Sequence, residues 1–197
     1  MYNLFFLADL AGMIIATIVD IMPMLSQGVI AMPSKRKIIS MIIALIIISL
    51  GSAFYAEFNL HIEPCPLCIA ERVILFAILI PTTIFFIHNP KSKIFKWIYS
   101  IMIIIIAGFG IKVSAHHVWL TNLPPDQQPL SCGMPLDVMY QNLPLHSFLH
   151  KVLMGDAECA KVNWHILGIN APTVVVALFT FILLLTLIIL ATKHDQH

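Results

Sequence analysis

Pro64-Cys65-Pro66-Leu67-Cys68-Ile69-Ala70-Glu71-Arg72-Val73-Ile74-Leu75-Phe76-Ala77-Ile78-Leu79-Ile80 decides the fold, because two thiols stand there at the head of an apolar run that continues to Ile87. The pair sits where a helix is expected to start, with Pro66 and Leu67 between the cysteines and the helix running on from Cys68. From Cys68 to Ile87 the segment has the ~20 residues needed to cross ~30 Å of hydrocarbon. Its strictly apolar part, Val73 to Ile87, is shorter, so the turn carrying Glu71 and Arg72 is expected at the membrane interface. Proline at position 81 is a candidate kink.

Three further blocks can span. They run from about residue 38 to 56, from 94 to 119 and from 171 to 192. Backbone groups in lipid must satisfy one another, so all four blocks are expected to be helices. The chain is 59% hydrophobic and 11% charged, against roughly a quarter charged in soluble domains. A formal net charge of +1 and the lack of a long basic tract leave no basis for nucleic-acid binding. The expected fold is all-α: a four-transmembrane-helix bundle in a lipid bilayer.

Cations orient the bundle. Lys35, Arg36 and Lys37 precede the first span, Lys91, Lys93 and Lys96 surround the turn between spans two and three, and Lys193 follows span four. Those positions share one side, which the positive-inside rule makes cytoplasmic. The opposite side holds Arg72, Lys112, Lys151 and Lys161, together with Glu57, Glu63, Glu71, Asp126, Asp137, Asp156 and Glu158. The outer loops are then about 57–67 and 120–170, and Cys65, Cys68, Cys132 and Cys159 all fall on the outer side. For a bacterial inner membrane that side is the oxidising periplasm. Such sorting points to thiol–disulfide chemistry.

Residues 1–31 stand apart. Leu4 to Leu25 is apolar but contains Asp9 and Asp20, and lone carboxylates inside a span are costly. A fifth span, an interfacial helix and a signal peptide without a basic start are all open readings. The expectation is an extension ahead of a natural start at Met32-Pro33-Ser34-Lys35-Arg36-Lys37, leaving 32–197 as the membrane domain.

Cys-x-x-Cys pairs close small strained rings and are redox-active more often than structural. A helix N-terminus favours negative charge. Arg72 lies four residues beyond Cys68 on the same helix face, so a guanidinium is expected to favour the Cys68 thiolate. Zinc is the competing reading. A four-cysteine zinc site is disfavoured because 26 residues separate Cys132 from Cys159 and because the compartment is oxidising. Haem attachment would need histidine at position 69, where Ile69 stands. No metal is expected.

The second pair sits among turn formers: Asn122, Pro124, Pro125, Pro129, Gly133, Pro135 and Pro144. Between the cysteines, Leu143 to Met154 has Leu145, Phe148, Leu149, Val152 and Leu153 on one broad face. Too short to span, it is expected to be an interfacial amphipathic helix. It either limits the loop's reach or simply packs on the bundle. The pair itself is either exchanging or a structural disulfide.

Glu63-Pro-Cys-Pro-Leu-Cys-Ile-Ala-Glu-Arg72, the spacing of Cys132 and Cys159, and Cys159-Ala-x-Val-x-Trp164-x-x-Leu-Gly168 before the last span resemble the DsbB family over about residues 33–192. The resemblance implies a quinone-dependent thiol oxidase of the bacterial inner membrane. It would take electrons from a periplasmic DsbA-type thioredoxin-fold oxidase and pass them to ubiquinone or menaquinone in the membrane quinone pool. The DsbA–DsbB–quinone route is an established means of keeping the periplasm oxidising. By the same resemblance, Cys132 would be attacked by the partner's thiolate and Cys159 would be its pair. Cys65 would exchange with that second pair, and Cys68 would face the quinone as a thiolate in charge-transfer contact. Arg72 and His117 would lie on the quinone side. His116 departs from the acidic residue expected beside that histidine, and the N-terminal extension departs from the family pattern.

Two rivals remain. A relative of vitamin K epoxide reductase would carry its Cys-x-x-Cys late in the chain, whereas here the motif opens span two. A non-enzymatic membrane scaffold with structural disulfides is the other. Transmembrane electron transport is disfavoured because no cysteine sits mid-span.

Overall fold

The protein is seen in a computed structural model that describes residues 35–61, 63–90, 92–124, 142, 144–155, 157–160, 165–166 and 169–191. The N-terminal segment 1–31, Cys132 with most of its proline-rich loop, Trp164, Leu167, Gly168 and Lys193 lie outside the described residues.

The elements run α1 (Lys35–Leu60), α2 (Pro66–His88), α3 (Lys93–Thr121), α4 (Leu145–Met154), α5 (Ala157–Ala160), β1 (His165–Ile166), β2 (Ile169–Asn170) and α6 (Ala171–Ala191). Helices α1, α2, α3 and α6 are long and apolar enough to cross a membrane. The protein is an all-α membrane protein of the four-helix kind. The first three spans expected from hydropathy were shorter than the helices, chiefly at α1, which extends outward to Leu60, while the fourth was expected one residue longer than α6. Hydropathy stops at the first charge, whereas helical hydrogen bonding continues past Glu57. A small antiparallel ladder, pairing His165 with Asn170 and Ile166 with Ile169, leads into α6 and was not expected.

Neighbouring pairs α1–α2, α2–α3, α3–α6 and α6–α1 close a ring around one core. Its centre is filled by Ile42, Ile46, Ile78, Ile103, Phe179 and Ile182, all almost fully buried. Helices α3 and α6 approach closely at Gly110. A Cβ there would lie 2.7 Å from the Phe179 ring, so glycine is what admits that phenylalanine. Large apolar side chains such as Ile80, Ile87, Ile98 and Ile105 remain exposed on the outer surface, where lipid covers them. Three buried hydroxyls within the spans bond back to the preceding turn: Thr82 Oγ1 to Ile78 O at 2.6 Å, Ser114 Oγ to Gly110 O at 2.8 Å, and Thr186 Oγ1 to Ile182 O at 2.7 Å. Each thereby avoids an unpaired donor in hydrocarbon. Helix α2 runs unbroken through the buried Pro81.

The ends of the bundle sort by charge. At one end, Lys35 Nζ donates to Pro90 O at 3.2 Å and Lys96 Nζ donates to Leu190 O at 3.5 Å, so the starts of α1 and α3 cap the ends of α2 and α6. A cation suits the negative pole of a helix. Asn89 ends α2 in the left-handed region, φ 37°, with its N–H donating to Phe85 O. Trp97 and Trp119 are exposed near opposite ends of α3. Twenty-two residues apart, they stand about 33 Å from each other along the helix, close to the hydrocarbon thickness. Tryptophan favours both interfaces, so Trp119 marks the level of the other end, where the cysteines lie.

Over that end lies α4. It starts at Leu145, two residues after the expected position, with Pro144 at the N-cap. It packs on α2. Val152 is buried, while Leu145, Leu149 and Leu153 form an exposed stripe at four-residue spacing. An unpacked apolar stripe of this kind suits the headgroup boundary. Gly155 ends α4 at φ +72°, and a Cβ there would meet Leu67 and Leu120 at under 3 Å. Glycine is thus required twice, for the backbone and for the close seat on Leu67. Gly155→Ala is expected to cost about 1–3 kcal/mol locally. It should also speed alkylation of Cys159 in the reduced protein; an unchanged alkylation rate would show that the seat does not restrain this segment.

Candidate active site

Cys65 is the N-cap of α2, with extended backbone (φ −69°, ψ 162°) and Pro66 at the first helical position. Its carbonyl accepts the first helical bond from Ile69 N at 3.2 Å, and its sulfur accepts from the Cys68 N–H at 3.3 Å. Helix initiation therefore turns the Cys65 side chain back over the first turn, and Cys68 rises to meet it. The two sulfurs are 2.8 Å apart. Cys65 is buried and Cys68 is half-exposed. The helical start expected at the motif is what brings the pair together.

Cys159 joins them. It is fully buried on α5, which packs against α3 and α2, and it hydrogen-bonds with Cys65. The hydrogen bond with Cys159, then that with Cys68, and then burial push the Cys65 thiol well above the usual cysteine range. Cys132, the remaining expected site residue, lies outside the described residues.

His117 enters from α3. Its Nε2 stands 3.7 Å from Cys65 Sγ, and its Nδ1 is 3.0 Å from Glu71 Oε1. Both are buried, His117 at 1% exposure and Glu71 at 5%. A carboxylate can only accept, so Nδ1 carries the proton and Nε2 is aimed at the sulfur. Glu71 is the residue that sequence reasoning missed as part of the site. It was assigned to the interface merely as a charge beside Arg72. The available signal was its place one turn beyond Cys68, which puts it on the cysteine face of an otherwise apolar helix.

His116, one position earlier, faces the other way. Its Nε2 meets Met154 O at 3.0 Å and its ring stacks on Trp119. The two histidines thus serve the interior and the seat of α4 respectively.

Arg72 is one turn from Cys68, as the spacing requires, but its guanidinium is engaged with α1. It pairs with Glu57, donates to Ala53 O at 3.2 Å and lies over the Phe54 ring at 5.2 Å. Glu57 offsets much of the positive charge that the sequence suggested for the Cys68 thiolate. The cluster can relay a sulfur–sulfur exchange: one buried thiol touches two others, with an imidazole at hand and one half-open sulfur.

Residues 35–189 match the family described as disulfide bond formation protein DsbB. The chain is also similar to proteins named disulfide bond formation protein B. One from Acinetobacter baylyi is 40% identical over 151 residues, covering 77% of this chain and 88% of the relative. One from Nitrosococcus oceani is 40% identical over 133 residues, 68% of this chain and 78% of the relative. A third, from Methylococcus capsulatus, is 38% identical over 130 residues, 66% and 78% respectively.

Proposed function

This chain belongs to the DsbB family, and from that premise we propose that it re-oxidises a periplasmic DsbA-type dithiol and hands the electrons to membrane quinone. It is a membrane thiol-disulfide oxidoreductase of disulfide bond formation. The inner membrane is its location, with the cysteine end facing the periplasm. The observation that carries the reading is Cys65, buried in contact with Cys68 on one side and Cys159 on the other.

In the oxidised enzyme, disulfides join Cys132 to Cys159 and Cys65 to Cys68. The partner's thiolate attacks Cys132, forming a mixed disulfide and releasing Cys159 as thiolate. Cys159 attacks Cys65, and Cys68 leaves with the electron pair. The partner's second thiol resolves the mixed disulfide, so the partner departs oxidised with Cys132 reduced. Cys132 then attacks Cys159, restoring their bond and expelling Cys65. Two electrons now rest on Cys65 and Cys68. His117 Nε2 is positioned to take or return the Cys65 proton, held in register by Glu71.

The residues present fit a quinone. Cys68 is the half-open sulfur, Arg72 supplies N–H donors for a carbonyl oxygen, and the apolar outer surface is continuous with lipid. When bound, the quinone supplies a two-electron, two-proton sink, leaving as quinol while Cys65 and Cys68 close their bond. For a two-electron couple ~30 mV is ~1.4 kcal/mol, so a modest potential gap drives the flow away from a DsbA-type disulfide near −120 mV.

The test is purified protein with a reduced DsbA-type oxidase and either ubiquinone or menaquinone analogues, followed by quinone absorbance. Loss of quinone coupled one-to-one to partner oxidation is the expected result. No loss with either quinone would end the reading. Arg72→Ala is expected to raise the quinone KM by about tenfold or more, as for removal of a charged hydrogen bond of ~1.5–3 kcal/mol, while the partner KM changes little. An unchanged quinone KM would remove Arg72 from the quinone side.

A further inference from the structure

We propose that the reduced Cys65–Cys68 pair and His117 form a binding site for a thiophilic divalent cation of the zinc type, and that occupancy withdraws the dithiol from the redox cycle. Cys65 Sγ, Cys68 Sγ and a ring nitrogen of His117 all lie within 4.8 Å of one another. Zinc bound at ~2.3 Å to sulfur and ~2.0 Å to nitrogen holds its ligands about 3.5–3.8 Å apart. Cys65 Sγ and His117 Nε2 already stand at 3.7 Å, and the sulfurs need to open by about 1 Å from 2.8 Å.

The outer partner is the stronger observation. A metal-binding histidine characteristically donates its second ring N–H to a carboxylate, which fixes the tautomer and leaves the other nitrogen free for the ion. Glu71 does this at Nδ1, 3.0 Å away, and Nε2 faces the sulfurs. Two thiolates neutralise a divalent cation, and Cys68, the partly exposed member of the cluster, is the side from which an ion would enter.

Cysteine spacing argued against a four-cysteine zinc site, and that argument holds for the loop pair. It carried no information about a histidine from α3. An oxidising compartment also disfavours metal only while the ring is closed. Each turnover opens it, and the inference takes nothing else from the proposed redox cycle, since a chemical reductant supplies the same dithiol. Binding moves no electrons: two S–H bonds are exchanged for two S–metal bonds, and two protons leave to solvent. Three protein ligands leave a fourth position for water or a further sulfur.

The test uses the full chain in detergent, reduced with a phosphine, freed of reductant without air, and titrated with Co²⁺ alone. Expected is a thiolate-to-cobalt absorption band saturating at one equivalent, displaced by Zn²⁺ and absent from the oxidised protein. Glu71→Gln should weaken Co²⁺ binding by about 10–100-fold, the usual effect of removing an outer carboxylate. The band should persist in Cys132→Ser. Equal binding by oxidised and reduced protein, no thiolate band in the reduced protein, or loss of the band in Cys132→Ser would each overturn the proposal. The oxidised-versus-reduced comparison needs no variant, so a misfolded Glu71→Gln does not decide it. Because quinone turnover is not read, failure of the redox reading is a separate result.

Discussion

Cys132→Ala is expected to reduce oxidation of a DsbA-type partner to background while the protein keeps its fold. The reason is spatial separation of labour. Cys65, Cys68 and Cys159 form one contact group at the head of α2, with Cys65 buried and Cys159 fully so. A folded partner protein cannot readily bring its own sulfur to the buried Cys65 and Cys159. On the proposed cycle Cys132, in a proline-rich stretch of the outer loop, is the thiol that would meet it. The same variant should still reduce quinone when supplied with a small dithiol, because Cys65 and Cys68 are intact. That pairing of outcomes separates a lost entry point from a lost enzyme. Full turnover of the variant with a reduced partner protein would refute the role assigned to Cys132.

Cys65→Ser is expected to abolish turnover with both the partner and small dithiols. Among the described cysteines, Cys65 is the one that interacts with both Cys68 and Cys159, so its loss cuts the proposed relay at its centre. Serine keeps an N-cap acceptor for the Cys68 N–H, whereas alanine removes it. Loss of an N-cap typically costs about 1 kcal/mol. Cys65→Ser and Cys65→Ala should therefore be equally inactive but differ in thermal stability, with the alanine variant lower. Residual turnover in the serine variant would mean that Cys68 exchanges directly with Cys159.

Much of the fold was legible because lipid leaves few options. A chain with Ile38–Ala56 and Ala171–Thr192 free of charge has no soluble arrangement, and the cations around Lys35 and Lys93 mark one end. Contacts from Lys35 to Pro90 O and from Lys96 to Leu190 O bring those ends together. The helix start was readable to within a turn: it was expected near Cys68, and the helix begins at Pro66 with Cys65 as its N-cap. What escaped was everything depending on contacts between helices. The i,i+4 rule put Arg72 on the Cys68 face, but it could not see Glu57 and Phe54 on α1 drawing the guanidinium aside. His117 was singled out by resemblance, yet its bond to Glu71 required the relative rotation of α2 and α3, which no single-helix pattern contains. The hairpin before α6 escaped because two residues per strand carry no periodicity.

The seat of Gly155 on Leu67 has a kinetic meaning. Gly155 is anchored against the residue between the two head-group cysteines, and Cys159 follows only four positions later. So short a leash holds Cys159 beside Cys65 at an effective concentration in the millimolar range or above. Exchange between them is then first order and indifferent to dilution. On the proposed cycle, crowding, expression level and the abundance of reduced partner would act on the encounter at Cys132 and not on this exchange. Flux in a cell would then respond to the supply of partner dithiol through the encounter step, with the internal hand-off independent of concentration.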